Sequence, residues 1–382
     1  MNNPFQPRAS SFDASAINRT IQRALASAGL DTATGPMHDV TENIRRAFAA
    51  GGLAGAAPQP DRESAQEVVA GSFETHAFHN DAGSRTYKLY IPPGTTDVPR
   101  AVVVMLHGCT QSADDFAAGT QMNRLADEQG FLVVYPEQAS QANASKCWNW
   151  FKPQDQMRGT GEPSLIAGIV REVVKKHQAD PRRIYVAGLS AGAAMAVVMG
   201  ETYPDLFAGV GAHSGLAYGS AHDIPSAMAA MKGGRSGMPN LKHLPGAATA
   251  PRRKAEQAVP LIVFHGDRDH TVQQTNGAHL VQQARDAHNA RAGESQLQAS
   301  TEPGVAPEGQ GFTRTVYEDK QGQVRIESWT LHGAGHAWSG GHASGSYTDR
   351  HGPDASAEMV RFFLALPHAA RDSIKDARDG QP

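Results

Sequence analysis

The chain has few cysteines. Only Cys109 and Cys147 occur in 382 residues, so at most one disulfide can form, and a disulfide-scaffolded fold or a four-thiolate zinc site is excluded. Whether the two pair depends on the compartment. Long apolar runs are also missing: the longest, around residues 101–106, has the length of a strand, far below the ~18 residues that cross a bilayer. No membrane span is expected. Neither sign of charge dominates, since 35 Lys and Arg face 38 Asp and Glu for a net charge of -3, which leaves no basic footprint for nucleic acid. The opening residues 1–7 have no basic start, apolar core or small-residue cleavage site. That points to a cytoplasmic chain, or to one already processed or exported differently.

What is present is ordinary for a folded globular protein: 40% hydrophobic residues and 39 glycines. The length suits one large α/β domain with decorations, or two modest domains. Residues 1–70 are rich in Ala, Ser, Gly and Pro, with helical spacing only at Ile17, Ile21, Leu25 and at Val40, Ile44, Phe48. They predict an N-terminal appendage of two short helices and a linker, mobile or, alternatively, a docking arm.

Beyond Ser72 the pattern becomes that of a catalytic domain over residues 71–367. Strands are predicted at 73–79 and 85–91, forming a hairpin edge, then at 101–106, 131–135, 183–187, 207–212, 261–265, 312–319 and 324–331. Helices are predicted around 122–129, through Leu165, Ile166, Ile169, Val170, Val173 and Val174, at 191–203, at 276–287, and in a last segment whose Met359, Phe362, Phe363 and Leu366 face inward. Strands alternating with helices give an α/β class, with a mostly parallel central sheet covered on both faces and antiparallel strands at its start. Residues 216–257, with Met228, Met231 and Met238, are too long for an ordinary connection and suit a lid. Residues 293–311 read as an exposed loop, and 368–382 as a polar tail.

The strongest chemical signal is Gly188-Leu189-Ser190-Ala191-Gly192, a G-x-S-x-G element between a β-branched strand and a helix. Small residues permit a sharp turn that exposes the Ser190 hydroxyl and sets the Ala191 N–H beside a carbonyl under attack. A serine needs a base, and the base needs a third group to hold its tautomer. In this architecture the chain order is nucleophile, acid, histidine. Asp269 in His265-Gly266-Asp267-Arg268-Asp269-His270 is the chosen acid, with Asp267 shaping the turn; His336, in the glycine-rich run 333–341, is the base. A second oxyanion donor is assigned to the backbone N–H of Cys109, after the strand ending Leu106-His107-Gly108, with His107 ordering that loop. His332 and His336 mimic a zinc pair, but the glycines between them break a helix and no metal or other cofactor is expected. Trp148, Trp150 and Phe151 cluster in a chain with 7% aromatics. They are either core or, with Trp338, apolar surface for an ester at the site mouth.

With these motifs in hand, the chain resembles the poly(3-hydroxybutyrate) depolymerase family of esterases, which is similar to feruloyl and acetylxylan esterases. The resemblance spans about residues 72–366 and rests on LHGCTQSADD (106–115), CWNWF (147–151), GLSAGAAM (188–195), HGDRDHTV (265–272) and GHAWSGG (335–341). It implies an α/β-hydrolase fold, a Ser190, Asp269, His336 triad, an oxyanion hole of the Cys109 and Ala191 N–H groups, a Cys109–Cys147 bridge, and substrate contact by a tryptophan among Trp148 and Trp150. The expected function is a serine esterase for short-chain or 3-hydroxyalkanoate esters, with a small ester or polyester oligomer as its partner. Feruloyl or acetylxylan ester hydrolysis is the alternative, and an inactive hydrolase-fold binding module is the alternative of another class. Many polymer-degrading members look secreted, which makes an extracellular location the alternative to a cytoplasmic one. Oligomeric state has no signature in the sequence.

Overall fold

A computed structural model describes residues 71–234, 258–292 and 296–367. Contacts divide the chain into units at Met1–Glu67 and Val68–Pro382. The first unit, with the two helices and the linker read from the sequence, lies outside the described residues, as do residues 235–257 and the tail 368–382.

In chain order the elements are β1 (Ser72–Asn80), β2 (Gly83–Ile91), β3 (Val102–Leu106), α1 (Ala113–Thr120), α2 (Met122–Gln129), β4 (Leu132–Pro136), a 3₁₀ turn (Pro153–Gln156), α3 (Gly161–His177), β5 (Ile184–Leu189), α4 (Ala191–Thr202), β6 (Gly209–His213), α5 (Ile224–Met231), β7 (Leu261–Gly266), α6 (Thr275–Ala292), β8 (Gln298–Val305), β9 (Gly311–Glu318), β10 (Val324–Leu331), the two-residue strands β11 (Trp338–Ser339) and β12 (Thr348–Asp349), and α7 (Ala355–Ala365). Ten strands form one sheet in the order β1-β2-β4-β3-β5-β6-β7-β10-β9-β8. From β4 to β10 neighbouring strands run parallel. Antiparallel pairs flank that centre on both sides.

The strand residues explain the layering. Successive side chains point to opposite faces, so Val102, Val104 and Leu106 join one buried cluster with α3, α4 and α6, whereas Val103 and Met105 join a second with α1, α2 and α7. Strands buried on both faces require near-continuous apolar runs, which is what β3 and β5 carry. This is the α/β-hydrolase fold.

Helices α1 and α5 and strands β8, β11 and β12 differ from the sequence expectation. The stretch predicted as an exposed loop, 293–311, contains β8, antiparallel to β9. Seven of its eight residues are exposed, so no apolar alternation marks it, and pairing rests on the backbone ladder. Helix α1 was not foreseen. It is nucleated by Ser112, whose hydroxyl accepts the Asp115 N–H at 3.1 Å, and by Asp114 and Asp115 in its first turn, where carboxylates face the positive end of the helix dipole.

Candidate active site

Every chemically marked segment leaves the sheet at the C-terminal end of a parallel strand, where open α/β sheets gather their ligands. Ser190 follows β5 directly, Asp269 lies beyond β7, His336 beyond β10, and Cys109 beyond β3.

Ser190 sits at φ 58° and ψ -119°, a left-handed backbone that costs a non-glycine residue of order 1–3 kcal/mol and persists only where the surroundings enforce it. Those surroundings are visible. The Ser190 N–H donates to the His213 carbonyl at 2.9 Å, and the Ser190 carbonyl accepts the Ala194 N–H at 2.9 Å to start α4. The flanking glycines are obligatory for contact reasons: a Cβ on Gly192 would lie 2.0 Å from the Leu106 carbonyl oxygen, and one on Gly188 would lie 2.5 Å from the Gly192 backbone. Ser190 is 9% exposed at this turn.

Asp269 is fixed at one oxygen and aimed at the other. Its Oδ1 accepts the N–H groups of Thr271 and Val272, both at 2.9 Å, and its Oδ2 lies 2.7 Å from His336 Nδ1. Burial pushes the carboxyl upward in pKa, but the His336 hydrogen bond and charge, with the Val272 N–H, outweigh it and hold Asp269 below the usual carboxylate range. An ionised acceptor at Nδ1 keeps the proton there, so Nε2 of His336 carries the lone pair. The neighbouring Asp267 accepts the Gly333 N–H at 2.7 Å and faces His332 Nδ1 at 3.2 Å. It shapes the histidine loop. His332 and His336 are therefore held by different carboxylates, and among the described residues no cluster of His, Cys, Asp or Glu has the makings of a metal site.

The loop after β3 is clamped from below. Cys109 and Cys147 are joined by a disulfide, with Cα atoms 4.2 Å apart. On either side of Cys109 the N–H groups are engaged, Gly108 with Gln111 Oε1 at 2.9 Å and Thr110 with the Ser145 carbonyl at 2.7 Å. Among the described residues the Cys109 N–H has no acceptor. Ala191, the first residue of α4, likewise keeps an N–H that a helix leaves unpaired. His107 accepts the Gln138 N–H at Nε2 (3.1 Å), so its Nδ1 holds the proton and donates to the Gly108 carbonyl at 2.7 Å. Burial lowers its pKa and keeps it neutral.

A buried carboxylate with no motif of its own supports this clamp. Glu162, at the start of α3, accepts from Asn149 N–H and Nδ2 (both 2.7 Å), Gln138 Nε2 (2.5 Å) and Arg85 (3.3 Å). Gln138 also donates to the Cys147 carbonyl at 2.9 Å. The CWNWF segment is thereby tied to the Cys109 loop.

Trp148, Trp150 and Trp338 are 0%, 6% and 1% exposed. Trp338 donates its indole N–H to Ser356 at 3.0 Å and stacks on His213, with ring centres 5.2 Å apart. Trp148 lies against His107 at 5.7 Å. The rings back the loops from inside the core. Two residues that touch these loops escaped the sequence reading, His213 and Tyr347. Each bonds a residue more than a hundred positions away, Ser339 for His213 and Thr110 for Tyr347, so only the folded chain reveals them.

Residues 85–296 match the family model described as Esterase PHB depolymerase. Poly(3-hydroxyalkanoate) depolymerase C of Paucimonas lemoignei is 34% identical over 68% of this chain and 60% of its own length. Feruloyl esterase B of Neurospora crassa is 37% identical over 36% of this chain and 46% of its own. The chain thus spans about half of each of these relatives. The acetyl xylan esterase of Aspergillus awamori, whose structure is known, superposes with a TM-score of 0.56 at 18% identity, over 77% of this chain and 99% of that one; the likeness shows a shared fold. With the serine turn, the Asp269–His336 pair and a family match across more than half its length, the chain belongs to the esterase PHB depolymerase family.

Proposed function

We propose that the chain is a serine carboxylic-ester hydrolase that cleaves short-chain or 3-hydroxyalkanoate esters through an acyl-enzyme. His336 Nε2 takes the proton from the Ser190 hydroxyl as its oxygen attacks the ester carbonyl carbon. The carbonyl π electrons move to the oxygen, where the N–H groups of Cys109 and Ala191 receive the charge. Collapse expels the alcohol, which leaves with the proton from His336. Water then attacks the acyl-enzyme by the same route, releasing the acid and restoring Ser190.

The observation that carries this reading is the 2.7 Å contact of Asp269 Oδ2 with His336 Nδ1, on the same sheet end as a serine in a strained left-handed turn. The polyester preference is supported by the name of the Paucimonas relative, and the aryl and acetyl ester alternatives by those of the fungal relatives. The lid read from the sequence at residues 216–257 falls within the described residues only over 216–234. In its described part, α5 leans on the acid loop: the Gln273 N–H donates to the Met231 carbonyl at 2.8 Å and Lys232 Nζ to the His270 carbonyl at 3.1 Å.

The test is hydrolysis of p-nitrophenyl butyrate by the wild type and Ser190→Ala, with thermal unfolding as a control. The variant should lose at least about 10⁴-fold in kcat while melting normally; retained activity in a folded variant overturns the assignment. Products from hydroxybutyrate oligomers, solid polymer, and feruloyl and acetyl esters then rank the substrates.

A further inference from the structure

An aromatic ring is expected at the mouth of an esterase site, yet the tryptophans near the chemistry are buried. Tyr347 is different. It is 48% exposed, and its backbone stands at φ 53°, a left-handed conformation that an aromatic residue rarely adopts and that commonly marks a functional position.

Its contacts place it between the two loops that flank Ser190. The Tyr347 hydroxyl lies 3.2 Å from Thr110 Oγ1, next to Cys109. Because Thr110 spends its own proton on the Cys109 carbonyl at 2.6 Å, Tyr347 is the donor to Thr110. On the other side, the Tyr347 carbonyl accepts the Trp338 N–H at 2.7 Å, two residues past His336. The preceding residue is fastened as firmly: the Ser346 N–H and hydroxyl both bond Asp115 (2.9 and 2.5 Å), and Gln111 Nε2 reaches the Ser346 carbonyl at 3.1 Å. A short segment with this many ties, holding one ring in a strained and open position, is built to present that ring.

We propose that Tyr347 is a specificity-determining residue whose ring contacts the aromatic or extended apolar part of the ester as it passes the Cys109 side of the site. The assignment rests on the hydrolase reading above. The hydroxyl bond to Thr110 orients the ring, and the ring face supplies the affinity by stacking.

The experiment compares wild type, Tyr347→Phe and Tyr347→Ala, each standardised by titration with a small alkyl phosphonate. Two selectivity ratios of kcat/KM are measured: 1-naphthyl acetate over ethyl acetate, and methyl cinnamate over methyl acetate. Tyr347→Ala should lower at least one ratio by about fivefold or more through KM, whereas Tyr347→Phe, which keeps the ring, should stay within about twofold of wild type. Both ratios unchanged in the alanine variant overturns the proposal while the hydrolase reading stands. Equal loss in Phe and Ala also overturns it, because the tyrosine would then act only as a loop tie. Failure of the phosphonate to label any of the three proteins overturns the hydrolase reading, and this proposal with it.

Discussion

The ring of His213 accepts at Nε2 the backbone N–H of Ser339, 3.0 Å away and three residues past His336. At the same time its carbonyl accepts the N–H of Ser190 at 2.9 Å. One buried residue thus ties the turn that carries the nucleophile to the loop that carries the base. Replacing it with leucine leaves the Ser339 N–H buried without a partner, a loss of about 1–3 kcal/mol. His213→Leu should lower kcat about 10- to 100-fold with KM nearly unchanged, and His213→Gln, which keeps an acceptor near the same place, should recover much of it. Steady-state kinetics on the two folded variants checks this.

The same residue sets a pH dependence. Complete burial, with the charges of His265 and His336 beside it, lowers the His213 pKa from 6.5 to about 3, so the native ring stays neutral while an unfolded one takes up a proton below about pH 6.5. The unfolded state then binds more protons, and stability falls as pH drops from 6.5 toward 3. His213 alone should remove roughly 2 kcal/mol by pH 5. Asp269, whose carboxyl is depressed, adds loss only further into acid, whereas Glu162 and Asp155, raised chiefly by burial, act in the opposite sense. Urea unfolding at pH 7 and pH 5 should therefore show a loss that is smaller by about 2 kcal/mol in His213→Gln. Identical slopes in the two proteins would contradict the buried neutral imidazole.

The disulfide closes a loop across a sequence separation of 38 residues, which by the chain-entropy model is worth about 4 kcal/mol. Its effect should also be catalytic, because Cys109 carries the proposed oxyanion donor. The Cys109→Ser, Cys147→Ser double variant should melt lower and lose about tenfold in kcat, with KM little changed. Matched melting and kinetic measurements on protein kept oxidised, and on protein reduced, test both consequences.

The carboxylate oxygens of Glu162 accept from the Asn149 backbone and side chain, Gln138 and Arg85. An amide in its place would present an N–H₂ to at least one of them. Glu162→Gln should thus cost about 1–3 kcal/mol in stability and, by loosening Gln138 and the Cys147 segment, reduce kcat severalfold. Chemical denaturation and initial rates on the one variant suffice.

How much of this was legible beforehand depends on the range of the interactions. The serine turn could be read because its residues are contiguous in the chain as a G-x-S-x-G pattern, even though the Gly192 requirement itself comes from the Leu106 carbonyl on the neighbouring strand. The parallel strands could be read because burial on both faces forces apolar runs such as residues 102–106. Strand β8 could not, since its exposed side chains and its Pro303 and Gly304 resemble a loop while the pairing is carried by main chain. His213 and Tyr347 were invisible for another reason: each acts through a partner far along the chain, such as Thr110 for Tyr347, and Glu162 gathers donors scattered over three segments, so a lone histidine, glutamate or tyrosine carries no pattern.

The central claim is that Ser190 is a nucleophile activated by the Asp269–His336 pair. Intact-mass and peptide mapping after treatment with a small alkyl fluorophosphonate measures it directly. The account predicts one adduct per chain, located on Ser190, absent in Ser190→Ala and formed at least about 100-fold more slowly in His336→Ala. An unlabelled wild-type protein, or an adduct on another residue at the same rate in all three proteins, would contradict it.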